Sequence, residues 1–324
     1  MNLMENIKKI NEFLIAFVIL TLLSIPVYYF NSIYLNGDQV LFRQAYELVE
    51  GLNFLEGLYI YNGRLDGYRF PPLIYTWITS SLGFNKDISS TLLNVILVSY
   101  VYIYLRKLNV SQSLCLVILF TNYYFWALYT TMEQVRVGFI FLTLSMIYKD
   151  KISFFLIFSI LSLISHQSLI FIYSGIFGVY IFQKCFLKKL TIIDILIFCS
   201  VLVFAIIFLI YFKITFVHKF GVYFNKNYLY EIENYLPCLI LLIASIIYSK
   251  KIIIPIICFI PFLAGIMLIG PSRLNMLAYL TSFHFVLSYK NGHNLFFYLT
   301  STYLLYKTVN YLNSIYLHGH GFHD

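Results

Sequence analysis

Charge is scarce in this chain. Only 11% of its 324 residues are Asp, Glu, Lys or Arg, against about 25% in soluble domains. So few polar side chains cannot cover the surface of a water-soluble globular enzyme. Disorder is excluded as well, because disordered chains are polar and poor in aromatics, whereas 30 Tyr and 32 Phe lift the aromatic share to 20%. Cysteine is sparse too: Cys115, Cys185, Cys199, Cys238 and Cys258 form no CxxC pair, and all lie in or beside apolar runs. They are expected to be buried free thiols, with no disulfide framework and no zinc site. Walker loop, dinucleotide fingerprint, GxSxG and HExxH are all missing. What is abundant is hydrocarbon. Hydrophobic residues make up 60% of the chain and the mean hydropathy is +0.81, which predicts an all-α, polytopic inner-membrane protein with a single integral domain over 1–324. The formal net charge of +8 would hint at nucleic acid in a soluble protein. In a membrane protein it mostly reports cytoplasmic lysines, and no nucleic-acid partner is expected.

A helix rising 1.5 Å per residue needs ~20 apolar residues to cross the hydrocarbon. The run 13–34 meets that length and follows Lys8 and Lys9. No small-residue cleavage site follows it, so an uncleaved anchor with a cytoplasmic N-terminus is expected. Residues 36–87 are the most polar part of the chain and are expected outside. Within them, 40–52 has helical spacing (Val40, Leu41, Ala45, Leu48, Val49, Leu52), as for an amphipathic helix on the outer leaflet. After Phe70-Pro71-Pro72, the stretch 73–84 is too short for an ordinary span and reads as an interfacial or re-entrant piece. Further apolar runs cover 88–105, 112–128, 134–148, 152–165, 168–183, 191–212, 235–249, 252–270, 274–289 and 294–312. Arg106-Lys107, Lys149/Lys151, Lys184/Lys188/Lys189, Lys250-Lys251 and Lys290 mark alternate joints as cytoplasmic. The expectation is a transmembrane helical bundle of about eleven spans, with an external C-terminus and a second outer loop over 213–234.

Arginine is distributed differently from lysine. Of the six arginines, Arg43, Arg64, Arg69, Arg106, Arg136 and Arg273, every one except Arg106 faces outward on this topology. Lysine suffices for a positive-inside signal, whereas the planar guanidinium fork suits bidentate phosphate or carboxylate binding. For Arg43 and Arg64 the plain alternative is pairing within the loop, since Glu47 lies at i,i+4 from Arg43. Arg136 and Arg273 each sit at the outer edge of an apolar run, where ionisable groups are costly and usually face a cavity with a partner. Glu133, three residues before Arg136, makes a structural ion pair the alternative there. His166, in Ile164-Ser165-His166-Gln167-Ser168, is expected at the outer turn of a helical hairpin. Its ordinary pKa near neutrality suits proton transfer from a sugar hydroxyl, though a hydrogen-bonded turn histidine fits as well. Gln134 and Ser168 stand beside these groups. Tyr223, in the Tyr-rich second outer loop, could stack on sugars or belong to an interfacial belt. The tail histidines 318, 320 and 323 read as a frayed terminus, and neither metal nor cofactor is expected. The cytoplasmic joints are too short for a nucleotide-sugar site, so chemistry is expected outside, on lipid-carried substrates.

The run Glu133-Gln134-Val135-Arg136-Val137-Gly138-Phe139, ending at lysines 149 and 151 and followed by Ser-Leu-Ile-Ser-His-Gln-Ser-Leu-Ile at 162–170, resembles the EpsG/Wzy-type polysaccharide polymerases. Their pattern is a Gln-x-Arg heading one helix, then a short hairpin with a His-x-Ser turn. Gly37-Asp38 and Tyr68-Arg69-Phe70-Pro71-Pro72-Leu73 resemble the opening of the wider GT-C membrane glycosyltransferases, which carry an Asp after the first helix and two juxtamembrane helices. Val137 departs from the family, which often has a second polar residue there. The resemblance covers most of 30–170 and returns at Ser272-Arg273. It implies an O-antigen or related polymerase that uses undecaprenyl-diphosphate-linked repeat units, without nucleotide, alongside a chain-length regulator in the membrane. In that reading Arg136 and Arg273 stabilise the leaving diphosphate, with Arg69 and Arg43 as helpers. His166 activates the acceptor hydroxyl, with Asp38 or Glu133 as the next choices. The alternatives are a single-sugar GT-C transferase using polyprenyl monophosphate sugars, with Asp38 as base, and a non-enzymatic flippase for lipid-linked oligosaccharides.

The lysine pattern makes a topological prediction. A reporter fused after Lys189 should read cytoplasmic, and fusions within 40–70 and 215–233 should read periplasmic. A cytoplasmic signal from the 40–70 fusion would overturn the assignment of every outer residue above.

Overall fold

Every regular element among the described residues is helical, with no strand. The structure, a computed structural model, describes residues 15, 18, 21–36, 38–64, 70–187, 232–249 and 251–321, and at 38, 62–64, 186–187, 267–269, 272 and 273 it describes the backbone only. The run 191–212, most of the outer loop 213–234 with Tyr223, and Arg69 lie outside the described residues. The chain divides into two compact units, Met1–Gln167 with Lys290–Asp324, and Ser168–Tyr289.

The first unit begins with α1 over 21–33. It continues through α2 (Asp38–Val49), α3 (Phe54–Arg64), α4 (Phe70–Ser81), α5 (Lys86–Lys107), α6 (Gln112–Thr121), α7 (Tyr123–Tyr129), α8 (Glu133–Ile147) and α9 (Ile152–Ser165). The second unit holds α10 (Ile170–Phe182), α11 (Ile232–Ser249), α12 (Ile253–Ile269) and α13 (Pro271–Val286), and the chain then returns to the first with α14 (Leu295–His318). Asparagine starts three of these helices, its side-chain oxygen accepting an otherwise unpaired first-turn N–H: Asn85 for α5, Asn122 for α7 and Asn294 for α14. Gly319, at φ 70°, ends α14 in the left-handed conformation that favours glycine.

The apolar runs among the described residues thus fold as helices close to their expected bounds, with instructive exceptions. The run 112–128 is not one helix. It breaks at Asn122, whose extended backbone separates α6 from α7. The polar segment 36–87 contains one helix more than expected, α3, and the 73–84 stretch belongs to a 12-residue helix, α4, that starts at Phe70. Nor does α2 bury the face foreseen for it. Gln39, Phe42, Ala45, Tyr46 and Val49 point inward, while Leu41 is 48% exposed. Ala45 and Val49 join Tyr61, Leu73 and Met132 in a small core of their own, flanked by Phe54, Leu58 and Trp77. These short helices therefore pack on one another through this core, while Leu41, Leu55, Tyr59 and Ile78 remain exposed. Three helical segments among the described residues are long and apolar enough to cross a membrane: Lys86–Lys107, Gln167–Cys185 and Ile232–Ser249. Three more apolar helices, Gln112–Thr121, Ile152–Ser165 and Ile253–Ile266, are shorter than a usual span.

Contacts at both tips order the first unit. Arg136 of α8 bonds Ser90 of α5, and Lys107 Nζ of α5 donates to Ile147 O of α8 at 2.6 Å, so the two helices run parallel. α9 returns antiparallel to α8, with Ser162 Oγ donating to Gly138 O at 2.9 Å. α14 begins beside the α5–α6 joint, where Ser111 N donates to Asn291 O, and ends beside α1, where Leu35 N donates to Gly319 O. One end therefore gathers Arg106, Lys107, Lys149, Lys151 and Lys290. The opposite end gathers α2–α4 and the first turns of α5 and α8.

Glycine sets the spacing in the second unit. A Cβ on Gly175 of α10 would stand 2.8 Å from the Cys258 carbonyl oxygen and 3.0 Å from its Cα, both backbone atoms of α12. At Gly178 it would meet only the Ile257 Cγ2 methyl, at 2.8 Å. Alanine gains about 1 kcal/mol over glycine in a helix, but overpacking against a backbone that cannot yield costs about 1–3 kcal/mol. Gly175→Ala should therefore lower the thermal midpoint of the purified protein while Gly178→Ala holds or raises it. Equal midpoints for the two variants would show that α10 and α12 do not meet at Gly175.

Candidate functional site, a buried polar cluster

The end of the first unit opposite its basic joints contains an unusual amount of buried polarity. α8 starts at Glu133, and its first turn carries Glu133, Gln134 and Arg136 inward, with Glu133 and Arg136 both at 0% exposure. Arg136 Nη1 donates to Ser90 Oγ at 2.6 Å, Ser90 O at 3.0 Å and Tyr129 O at 3.4 Å, whereas Nε and Nη2 have no hydrogen-bond partner. Glu133 acts on it through space as the opposite charge, and the Tyr61 hydroxyl of α3 donates to Glu133 Oε1. Gln134 is buried, with Nε2 donating to Met132 Sδ at 3.0 Å and Oε1 unpartnered.

The break between α7 and α8 at residues 130–132 supplies part of this site. A helix leaves its last carbonyls without intrahelical partners, and α7 ends against the cluster. Tyr129 O accepts from Asn31 Nδ2 (3.3 Å) and Asn94 Nδ2 (2.9 Å) as well as from Arg136. Thr130 O and Thr131 O accept from Gln39 Nε2. The negative end of α7 thereby faces a guanidinium, the favourable sense for a helix dipole.

A second layer ties α2 and α4 to the start of α5. Tyr75 Oη donates to Ser89 O, Thr79 Oγ1 lies 2.9 Å from Ser89 Oγ, and Tyr46 Oη donates to Phe84 O at 2.6 Å. Burial pushes both phenols above their ordinary pKa, so they stay protonated donors at neutral pH. Lys86, in the first turn of α5, is 6% exposed and pairs with the adjacent Asp87 at 2.9 Å. Its Nζ lies 6.0 Å from the centre of the Phe42 ring, and Arg136 Cζ lies 5.8 Å from the same ring.

The residues expected to act together are brought together in part. Arg136, Glu133 and Gln134 share the cluster. Asp38 begins α2, one residue before the buried Gln39, and Arg43 is half-buried on α2, close enough to act electrostatically on Lys86. Arg64 ends α3. His166 caps α9 at this same end, half-buried, its N–H donating to Ser162 O at 2.9 Å. Ser168 lies in the 3-10 turn that follows, and Arg273 in the first turn of α13, both in the second unit. Sequence reasoning missed Lys86, Phe42, Tyr61, Ser90 and the Tyr129 carbonyl. A signal existed for Lys86: a lysine at the end that the positive-inside pattern leaves without lysines needs the same explanation as an arginine there. Among the described residues no three His, Cys, Asp or Glu side chains converge as metal ligands do. No protein-family model matches the chain, and none of the curated proteins or solved structures compared with it is significantly similar.

The phenol–carboxylate bond between Tyr61 and Glu133 links the outer layer to α8. A hydrogen bond to a charged group contributes about 1.5–3 kcal/mol. Tyr61→Phe should therefore lower the unfolding midpoint, and Glu133→Gln should weaken the effect of that change. Tyr61→Phe protein as stable as the parent would show that the bond carries no net energy.

Proposed function

We propose that this chain is a polytopic inner-membrane polymerase of surface polysaccharide, of the EpsG/Wzy kind, working at the outer end of its first unit. The observation that carries the reading is Arg136. A guanidinium at 0% exposure with Nε and Nη2 unpartnered is costly to bury, and intramembrane ionisable groups mark functional sites. Its position at the end opposite Arg106, Lys107, Lys149, Lys151 and Lys290 supports an outward-facing site, because basic joints lie in the cytoplasm. In this reading about eleven spans cross the membrane, and a chain-length regulator is the protein partner.

The reaction moves a growing glycan from its polyprenyl diphosphate to a hydroxyl at the non-reducing end of a lipid-linked repeat unit. The acceptor oxygen forms the new bond to the anomeric carbon as the bond from that carbon to the phosphate oxygen breaks, and the electron pair leaves with the diphosphate. Negative charge grows on the leaving group, and a preorganised guanidinium in a low-dielectric site stabilises it. Arg136 takes that role, with Arg43, Arg64 and Arg69 as further anion contacts. The acceptor proton passes to His166, or to Asp38 or Glu133. Gln134, Ser168 and Tyr223 contact the glycan.

Arginine geometry distinguishes this role from plain charge. Arg136→Lys should fail nearly as badly as Arg136→Ala, since an ammonium lacks the bidentate fork, and losing one such contact costs about 10²–10³ in rate. The assay is purified protein in lipid with a lipid-linked repeat unit, read as glycan ladder length. Ladders from both variants should collapse to a single repeat. Long ladders from Arg136→Lys would reduce the role to a generic positive charge, and long ladders from Arg136→Ala would remove it.

A further inference from the structure

The first turn of α5 holds a charge that the reading above leaves unused. Lys86 stands at a helix N-terminus, where the macrodipole is already positive and disfavours a cation. It is nonetheless 6% exposed, with the neighbouring Asp87 as its ion-pair partner and no well-formed hydrogen bond at Nζ. Arg136, from a different helix, stands against the same ring, and Arg43 adds a further positive charge acting on Lys86. Two cations resting on one fully buried phenyl, Phe42 of α2, are held by ring-face attraction alone on that side. Charge-assisted hydrogen bonds to phosphate oxygens are shorter, directional and stronger. Nε and Nη2 of Arg136, which have no partner, and Nζ of Lys86, which holds Asp87 as an ion pair without a well-formed hydrogen bond, are the donors such oxygens require. Phe42 lies on α2, whereas Lys86 and Arg136 lie on α5 and α8, so ring and cations come from separate helices.

We propose that Lys86 and Arg136 together bind the diphosphate of a lipid-linked glycan, with Phe42 holding the place of that anion until α2 moves. This rests on the polymerase reading for the identity of the lipid. It adds Lys86 as a binding residue and Phe42 as the group the substrate displaces. Phe42 then opposes binding, the reverse of what a packing residue does.

The test uses full-length protein in phosphatidylcholine nanodiscs, with binding of undecaprenyl diphosphate measured by native mass spectrometry and undecaprenol as the uncharged control. Lys86→Gln should weaken undecaprenyl diphosphate binding by about 10- to 100-fold, the loss of a hydrogen bond between charged groups. Phe42→Ala should tighten it about threefold to tenfold, the scale of the ring contact it removes, even as the variant unfolds at lower temperature. Undecaprenol should bind all three proteins alike. Inorganic pyrophosphate should displace the lipid from the parent, which identifies the headgroup as what is recognised; failure to displace it would overturn the anion site. So would unchanged affinity in Lys86→Gln, or weaker binding in Phe42→Ala. Binding with these signs in a protein that makes no glycan would keep this site and discard the polymerase. Normal ladders together with unchanged binding in Lys86→Gln would do the opposite.

Discussion

Burying the Arg136 guanidinium constrains much of the first unit. Removing an ion from water costs several kcal/mol even after relaxation, so the surrounding helices must present acceptors where an apolar bundle has few. They come from two places, the first turn of α5 at Ser90 and the end of α7 at Tyr129. Each is backbone made available by a helix terminus or reached by a long side chain. An unbroken helix through Asn122 and on into α8 would consume the Tyr129 carbonyl in its own ladder. Because the chain turns out of helix at Thr130–Met132, that carbonyl is free to receive Arg136, Asn31 and Asn94 at once. The terminus that lacks donors and the cation that lacks acceptors satisfy one another, and through Asn31 and Asn94 the same atom holds α1 and α5.

The parallel course of α5 and α8 follows from the same contact. Ser90 to Lys107 spans about 25 Å of helix, while Arg136 to Ile147 spans about 16 Å at 1.5 Å per residue. Yet both ends are bonded. The difference is taken up by the long stems of Arg136 and Lys107, which in helices lean toward the N-terminus. A short residue at either position would leave one end of the pair unmatched. Charge at one end and charge at the other are thus parts of one mechanical arrangement.

Much of this was legible in the sequence, and what was not has identifiable causes. Apolar runs show themselves by composition, so α5, α8, α9 and α12 lie where the hydrophobic count puts them. Within the first unit the basic joints at 106–107, 149–151 and 290 also fall together at one end, as their charge pattern implies. Arg136 and Glu133 stood out as ionisable groups at the edge of an apolar run. The face of α2 did not, because its inward positions include Gln39, which hydropathy scores as outward although its amide is what docks the helix on Thr130 and Thr131. The break at Asn122 was hidden inside an unbroken apolar run, since one capping asparagine changes the hydropathy of the run very little. Tyr61 and Glu133 are 72 positions apart in the chain, and no local pattern announces such a pair. Lys86 lies in the most polar stretch of the sequence, where nothing local distinguishes a buried lysine from an exposed one, because its burial depends on how the helices around it pack.

Short helices and buried polarity are connected. α6 and α7 have 10 and 7 residues, about 15 and 10 Å of rise, so each is too short to cross ~30 Å of hydrocarbon alone. The break between them at Asn122 leaves backbone ends without intrahelical partners. Irregular backbone at such depth survives only where protein or a polar cavity covers it. Here Trp126 Nε1 donates to Phe120 O at 2.7 Å and Thr308 Oγ1 of α14 donates to Thr121 O at 2.9 Å, so the carbonyls at the end of α6 are occupied by neighbours without charge. The end of α7 receives amides and a guanidinium instead. Two breaks of the same backbone kind are therefore satisfied in different ways, one by neutral donors that only hold structure and one by a cation with N–H groups to spare. The asymmetry leaves the charged donors with hydrogen-bonding capacity to spare at the end of α7, beneath α2–α4.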